Sequence, residues 1–516
     1  MRIIKKISRW LHKYLGLVVI LFLIWMSISG ILLNHPDLIS NISVPGWLIP
    51  DEYHYTNWNR SALVTVEKSE TDEKLLFAAG KSGVWKSTDG GYSFENLVKN
   101  GFPESPFNRK TYSLYLHETE TGKVLLACTN RGLYLYDLEK DKWDKPEYEN
   151  NNERAVKILK RDNKLFLFTR SALFVSDLNI KNLSFEKKKM FREAGKEKVS
   201  LIKLFFHLHD GSVWGLPGKL LFDLAGIIMI FLSVSAFYIW YFPGKNKLMT
   251  KLKFKKIFRG KADTMNFMWK HHLKLGIWFA LILILITLTG FFMRPPAMIL
   301  IARGSIDTKY YPGFLSENKW EDKIRNATIN PQKNTFVLDC TDGLWEGNID
   351  LSQPFQKMKL PIRPFPMGAT VLEYKNNNLI LGSFSGLFSV NTQNKIFDMV
   401  KKEEVKFAPS FRPAKYMITG YHNSENLSLI FTHGQGMISG DKKLSGYRFK
   451  MPDQLRENFS MSLWNVLFEI HNGRYFRSLL GSFYMLLVPL GALLTLIVLL
   501  TGIVDWLIIK LKKRRK

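Results

Sequence analysis

Cysteine is nearly absent: the 516 residues contain two, Cys128 and Cys340. That leaves room for one disulfide at most, and rules out a cysteine-built metal cage. The two stand at equivalent points of a repeat, in units that are not adjacent, so both are expected as buried strand residues. Acidic side chains are also scarce, 45 against 73 Lys and Arg, for a formal net charge of +28. A Gly-rich dinucleotide motif is missing from the short basic segments, which are too small to fold a nicotinamide or flavin domain.

Long apolar runs are plentiful. Leu15–Leu33, Leu216–Phe242, Leu275–Met293 and Ser482–Ile509 each reach the roughly 20 residues that cross a hydrocarbon core about 30 Å thick. Between them lie polar stretches over roughly 36–205 and 295–470. The basic residues cluster at the ends of the runs. Arg2, Lys5, Lys6, Arg9 and Lys13 precede the first. Lys245, Lys247, Lys251, Lys253, Lys255, Lys256, Arg259, Lys261, Lys270 and Lys274 separate the second from the third, and six more end the chain. Only Asp263 and Asp505 lie near them. By the positive-inside rule both termini and the short connection are expected in the cytoplasm, with both polar insertions outside. Flanking spans make this topology the better reading of the basic charge, so no nucleic-acid partner is expected. The first run is longer than a signal-peptide core and "SISG" is a poor cleavage site, so it is expected to stay as a span.

The chain is duplicated. In "WLHKYLGLVVILFLIWMSISGILLNHP" and "KHHLKLGIWFALILILITLTGFFMRPP", Gly16 and Gly30 align with Gly276 and Gly290 without a gap, and His12 with His272. Histidine and glycine four residues apart share a helix face. Ahead of the second and fourth runs, "FFHLHDGSVWG" and "FEIHNGRYFRS" align His209 with His471. His12 and His272 fall at the cytoplasmic face, His209 and His471 at the outer face.

The insertions repeat as well. "LLFAAGKSGVWKSTD", "VLLACTNRGLYLYDL", "KLFLFTRSALFVSDL", "TFVLDCTDGLWEGNI", "LILGSFSGLFSVNTQ" and "LSLIFTHGQGMISGD" are each two apolar runs about a short turn, at Gly83, Gly132, Ala172, Gly343, Gly386 and Gly436. Spacing of about 40–50 residues is the period of propeller blades. "STDGGYSF" (Ser87–Phe94) is similar to an Asp-box turn. The pattern predicts one six-bladed β-propeller, three blades per half; two separate small sheets are the alternative.

Eleven histidines occur. His54, His117, His422 and His433 lack a recurring context and are expected in turns or at the surface. His271 and His207 lie off the faces of their duplicated neighbours. Two symmetric pairs at membrane depth are a functional signal. With no cysteine, aspartate or glutamate in either set, zinc is poorly served. Two imidazoles suffice as axial ligands of haem iron. Gly16 and Gly276, one turn from their histidines, would clear space for a porphyrin. Without C-x-x-C-H the haem would be b-type, and two would be needed to cover the bilayer. Asp223, inside the second run, wants a partner. It could orient His35, making His35 an alternative outer ligand, although His35 aligns with Pro295 in the other half. Asp505 could pair with the basic tail.

"RWLHKYLGLVVILFLIWMSISGILLNH" and "HLHDGSVWGLPGKLLFDLAGIIMIFLSVSAFYIWYF" resemble the PepSY-associated transmembrane helix family, with weaker counterparts in the second half. The resemblance covers about a third of the chain and implies inner-membrane dihaem proteins of the ferric-siderophore reductase kind. His12 and His272 would then serve an inner haem, His209 and His471 an outer one. Such proteins carry small α+β PepSY domains outside; blade-like repeats stand in their place here, which leaves the substrate open.

The expected chain is thus a four-helix, duplicated 2+2 membrane protein with an extracytoplasmic all-β region. Its segments are 1–35 (first span), 36–200 (three blades), 201–243 (interfacial segment and second span), 244–268 (basic loop), 269–294 (third span), 295–464 (three blades) and 465–516 (interfacial segment, fourth span and tail). The expected activity is reduction of a ferric chelate at the periplasmic side of a bacterial inner membrane, by way of two haems. The electron donor would be a membrane quinol or a separate reductase. The alternatives are a non-redox propeller displayed on the membrane to bind or sense a ligand, and a transporter, for which the spans have too few midplane polar groups.

Overall fold

The computed structural model describes residues 2–120, 122–179, 183–193, 195, 198–251, 259–406, 413–424, 427–439 and 448–514. Lys253, Lys255 and Lys256 of the basic connection, and Arg515 and Lys516 of the tail, lie outside the described residues. The chain divides into two compact units. Met1–Ile39, Lys196–Leu315 and Leu463–Lys516 form a helical unit, and Ser40–Gly195 with Ser316–Ser462 form a β unit.

The helical unit is built from α1 (Arg2–Leu33), α2 (Leu201–His209), α3 (Gly215–Lys251), α4 (Arg259–Trp278), α5 (Ala280–Phe292), α6 (Leu463–His471) and α7 (Tyr484–Arg514), with short turns between. Among the described residues, three stretches are long and apolar enough to cross a membrane: Ile3–Leu33, Ser212–Tyr241 and Arg474–Leu511. The third apolar run departs from expectation. It is not one straight helix, because α4 and α5 meet at a 64° bend. The bend falls at Phe279, whose N–H still bonds Leu275 O, three residues after Gly276. Glycine within a turn of the break is the local weak point of the helix.

Small residues let the helices touch. A Cβ on Gly491 of α7 would lie 2.3 Å from the Phe22 ring of α1, and one on Gly226 of α3 would lie 3.0 Å from Ile31. α1 packs against α3, α6 and α7, and α4 against α3 and α7. Residues 295–315, expected with the β region, belong to this unit. Ser305–Asp307 pairs antiparallel with Lys198–Ser200, and the Ser200 hydroxyl caps α2 by accepting from Lys203 N–H. That ladder ties the chain leaving α5 to the chain entering α2.

The β unit contains six antiparallel meanders, taken in chain order. The first is Thr65–Lys68, Leu76–Gly80, Gly83–Ser87 and Glu95–Asn96. The others span 111–144, 155–188, 324–357, 371–405 and 418–439. All six expected hairpins are present, one per sheet. Their second strands are mostly apolar because both faces are covered: Leu76–Gly80 and Thr335–Cys340 are buried throughout, the latter with Asp339 paired to Arg325. The cores lie between successive sheets. Phe77 and Leu125 share one, Cys128 and Phe174 the next, and Phe168 and Phe336 the third. The first strand of each sheet lies against the first strand of the next, and that of the sixth also lies against that of the first.

Turn chemistry explains the glycines. Gly132 has φ +103°, and a Cβ there would meet Asn151 O at 1.9 Å. In the Asp-box, Asp89 accepts from Tyr92 N–H, Ser93 N–H and Ser93 O–H, and these bonds hold its carboxyl well below the usual range despite some burial. Cys128 and Cys340 are free, buried strand residues.

Candidate cofactor site

The helical unit brings the duplicated histidines together in two pairs. The His12 and His272 ring centroids are 6.2 Å apart with planes turned by 82°. Those of His209 and His471 are also 6.2 Å apart, turned by 65°. Position 12 and the Ser29–Gly30 step that meets His471 both lie on α1. Seventeen residues at 1.5 Å each separate the pairs by about 25 Å along that helix.

Each imidazole is anchored through Nδ1. His12 Nδ1 is 2.9 Å from Val498 O, and His209 Nδ1 is 2.9 Å from Ile286 O. A carbonyl only accepts, so both nitrogens carry the hydrogen. His272 Nδ1 is 2.8 Å from Ser235 Oγ, and His471 Nδ1 is 2.8 Å from Ser29 Oγ. Those hydroxyls already donate to Leu232 O and Trp25 O. They therefore accept from the imidazoles. All four rings share one tautomer, with the Nε2 lone pair left free. Burial, and then the neighbouring His209, push His471 down to about 3; burial likewise lowers His209, so this pair is neutral.

The spacing suits one ion between two rings. A metal–imidazole bond of about 2.0–2.1 Å, plus about 1.1 Å from nitrogen to ring centre on each side, places the centroids about 6.2–6.4 Å apart. No group of three or more His, Cys, Asp or Glu that could hold a metal occurs among the described residues. Two-imidazole sites with no third donor fit an ion whose remaining positions a macrocycle fills, as in b-type haem. A cavity of about 610 Å³ surrounds the first pair, with walls including Leu17, Leu232, Ile239 and Ile503. Arg9, Lys13 and Asp505 also line it, and Arg9 Nε lies 3.9 Å from Asp505 Oδ2. Asp505 thus lies within reach of the N-terminal basic run, while most of the tail expected as its partner lies outside the described side chains.

Gly16 and Gly276 line the cavity, but a Cβ on either would make only ordinary contacts, at 3.9 Å to Val498 and 3.8 Å to Leu232. The glycines that admit an imidazole are others. A Cβ on Gly290 would sit 2.8 Å from His209 Cε1, one on Gly502 3.1 Å from His12 Cε1, and one on Gly30 3.4 Å from His471 Cε1. Gly30 and Gly290, and the hydroxyls Ser29 and Thr289 beside them, stand in the same duplicated register. That register was the available signal for them.

His35 and Asp223 do meet, Nε2 to Oδ2 at 2.8 Å, and Asn34 Nδ2 donates to Asp223 Oδ1 at 2.9 Å. Asp223 thus holds His35 through Nε2, the contact expected from the sequence, and Nδ1 takes no part in it. His207 faces the Tyr311 hydroxyl at 2.5 Å, and His271 Nδ1 donates to Phe267 O at 2.9 Å. Both stand apart from the pairs.

A family model described as the PepSY-associated TM region matches residues 9–508. No curated protein matches the chain. Solved structures similar to it include the extracellular domain of the one component system BT4673 from B. thetaiotaomicron (10% identity, TM-score 0.33) and that of the hybrid two component system BT4673 from the same organism (10%, 0.32). An ancestral GH74 enzyme is also similar (12%, 0.30). The alignments cover 75%, 74% and 76% of this chain, which spans 40%, 38% and 38% of theirs.

Proposed function

Because the chain belongs to the PepSY-associated TM family, we propose that it is a transmembrane electron carrier, in which His12 and His272 would hold one b-type haem and His209 and His471 a second. The observation that carries this reading is the shared tautomer. Four rings, on four different helices, each hold Nδ1 against a fixed acceptor, and in each pair the ring centroids stand 6.2 Å apart.

Bound at these sites, haem supplies one-electron chemistry linking a membrane quinol or a separate reductase at one face to a ferric chelate, such as a ferric siderophore, at the other. The chain's own residues do the rest. Val498 O, Ile286 O, Ser235 and Ser29 fix the ring orientations, and hydrogen bonds of this kind raise ligand basicity. Leu17, Leu232, Ile239 and Ile503 give the cavity around His12 and His272 apolar walls. Gly290, Gly30 and Gly502 let the rings seat against the helices. An acceptor that loses affinity on reduction suits iron release, since hard oxygen donors hold Fe(II) less tightly.

The basic ends of the apolar runs support cytoplasmic termini in a bacterial inner membrane, with the β unit periplasmic. Contacts from each sheet to the next, and from the sixth to the first, support a six-bladed propeller.

The test is an absorption spectrum of the detergent-purified protein, oxidised and dithionite-reduced, with haem counted. A b-type spectrum with two haems per chain is expected. His272→Ala and His209→Ala should each remove one haem, and different ones. A colourless protein made with ample haem supply would sink the reading and leave a binding module.

A further inference from the structure

The two halves of the helical unit differ in charge at one place. Gly16 and Gly276, and Gly30 and Gly290, put the first and third apolar runs 260 residues apart, so Asn34 corresponds to Arg294. In the second and fourth runs, Ser235 corresponds to Thr501, and Gly215 to Gly481; both glycines take positive φ, +66° and +55°. That register makes Asp223 correspond to Pro489.

In the first half, then, an amide and His35 share the carboxylate of Asp223. In the second half a guanidinium replaces the amide, and the carboxylate is gone. Arg474, which follows His471 by three residues, adds a second cation whose charge Arg294 feels. One acid stands with them: Glu469 Oε1 accepts from Arg474 at 2.7 Å. Two guanidiniums against one carboxylate leave a net positive charge. The Nε atoms of both arginines are buried without a hydrogen-bond partner among the described residues. A buried unsatisfied donor calls for an explanation, and a bound anion is one.

The place is beside the second histidine pair. Arg294 lies four residues past Gly290, which admits the His209 ring, and the Arg474 guanidinium carbon is 5.6 Å from the ring of Phe468, on the same helix as His471. We infer that Arg294 and Arg474 bind a carboxylate of a ligand next to His209 and His471. Guanidinium matches carboxylate geometry in two-point hydrogen bonds. Resting on the haem reading above, one source is a porphyrin propionate; the other is a soluble polycarboxylate chelate arriving at that face.

Full-length protein carrying Arg294→Gln, Arg474→Gln or Arg294→Lys separates these sources. Haem is counted, both midpoint potentials are titrated, and citrate and ferric citrate are titrated by calorimetry. If the carboxylate is a propionate, the glutamine variants lose one haem or lower its potential. The His12/His272 haem stays unchanged, Arg294→Lys is partly restored, and citrate binds no variant. If it is a free chelate, citrate binds wild type, and the glutamine variants bind it at least roughly tenfold more weakly with haem bands unaltered. Unchanged occupancy and potentials, with no citrate binding, overturn the assignment and leave the arginines facing lipid headgroups. If wild type carries no haem, the haem reading falls by itself and citrate titration alone decides this site. Should Arg294→Gln fail to fold, Arg474→Gln and Arg294→Lys carry the comparison.

Discussion

An imidazole offers two nitrogens, and its neighbours decide which one is available. In the four duplicated histidines the neighbours make the same choice by two routes, a helix carbonyl or a hydroxyl whose hydrogen is already committed. Removing such a partner is measurable. Ser235→Ala removes the hydroxyl that holds His272 Nδ1, and the affinity for haem at His12/His272 should fall roughly 10–100-fold, as for other supporting partners. Haem transfer to apomyoglobin would read this, and an unchanged rate would contradict it. The glycines give a graded test. A methyl on Gly290 would overlap His209 at 2.8 Å, whereas on Gly30 it would reach His471 at a tolerable 3.4 Å. Gly290→Ala should therefore lose the His209/His471 haem and Gly30→Ala should largely keep it; equal losses would refute the cradle.

Among the elements, each site is assembled crosswise. His12 on α1 bonds α7, and His272 on α4 bonds α3. His209 on α2 bonds α5, and His471 on α6 bonds α1. So α1 serves both sites, one near each end. Its packing on α7 depends on Gly491, where any side chain would strike the Phe22 ring. Gly491→Leu is expected to disturb both pairs at once, reducing both haems in one absorption spectrum; loss of a single haem would show that the sites are held independently. The bend at Phe279 belongs to this scale too. Hydropathy predicts a span of the right length over 275–293, but periodicity contains no term for the direction of the axis.

For the whole molecule, a chemical test of the β unit follows from its two cysteines. Both are free and fully buried, and burial raises their thiols far above the ordinary range. Maleimide should label neither in the native protein and both in denaturant, with no disulfide on a non-reducing gel. Labelling of the native protein would contradict the burial. Much of this architecture was legible in the chain: three long apolar stretches, six hairpins, five of them turning at a glycine, and the Ser87–Phe94 turn. Each rests on local chemistry, whether apolar length, strand alternation, or a φ that only glycine takes readily.

The duplication let the sequence by itself pick out His12, His272, His209 and His471, because gap-free spacing survives in a linear string. What the tertiary structure decided is everything that depends on helix rotation and depth. It made Ser29, Thr289 and Ser235 the imidazole partners, seated rings on Gly30, Gly290 and Gly502, and placed residues 295–315 with the helices. A residue's period tells which face of its own helix it occupies, while the atom it meets belongs to another helix, whose azimuth only packing sets.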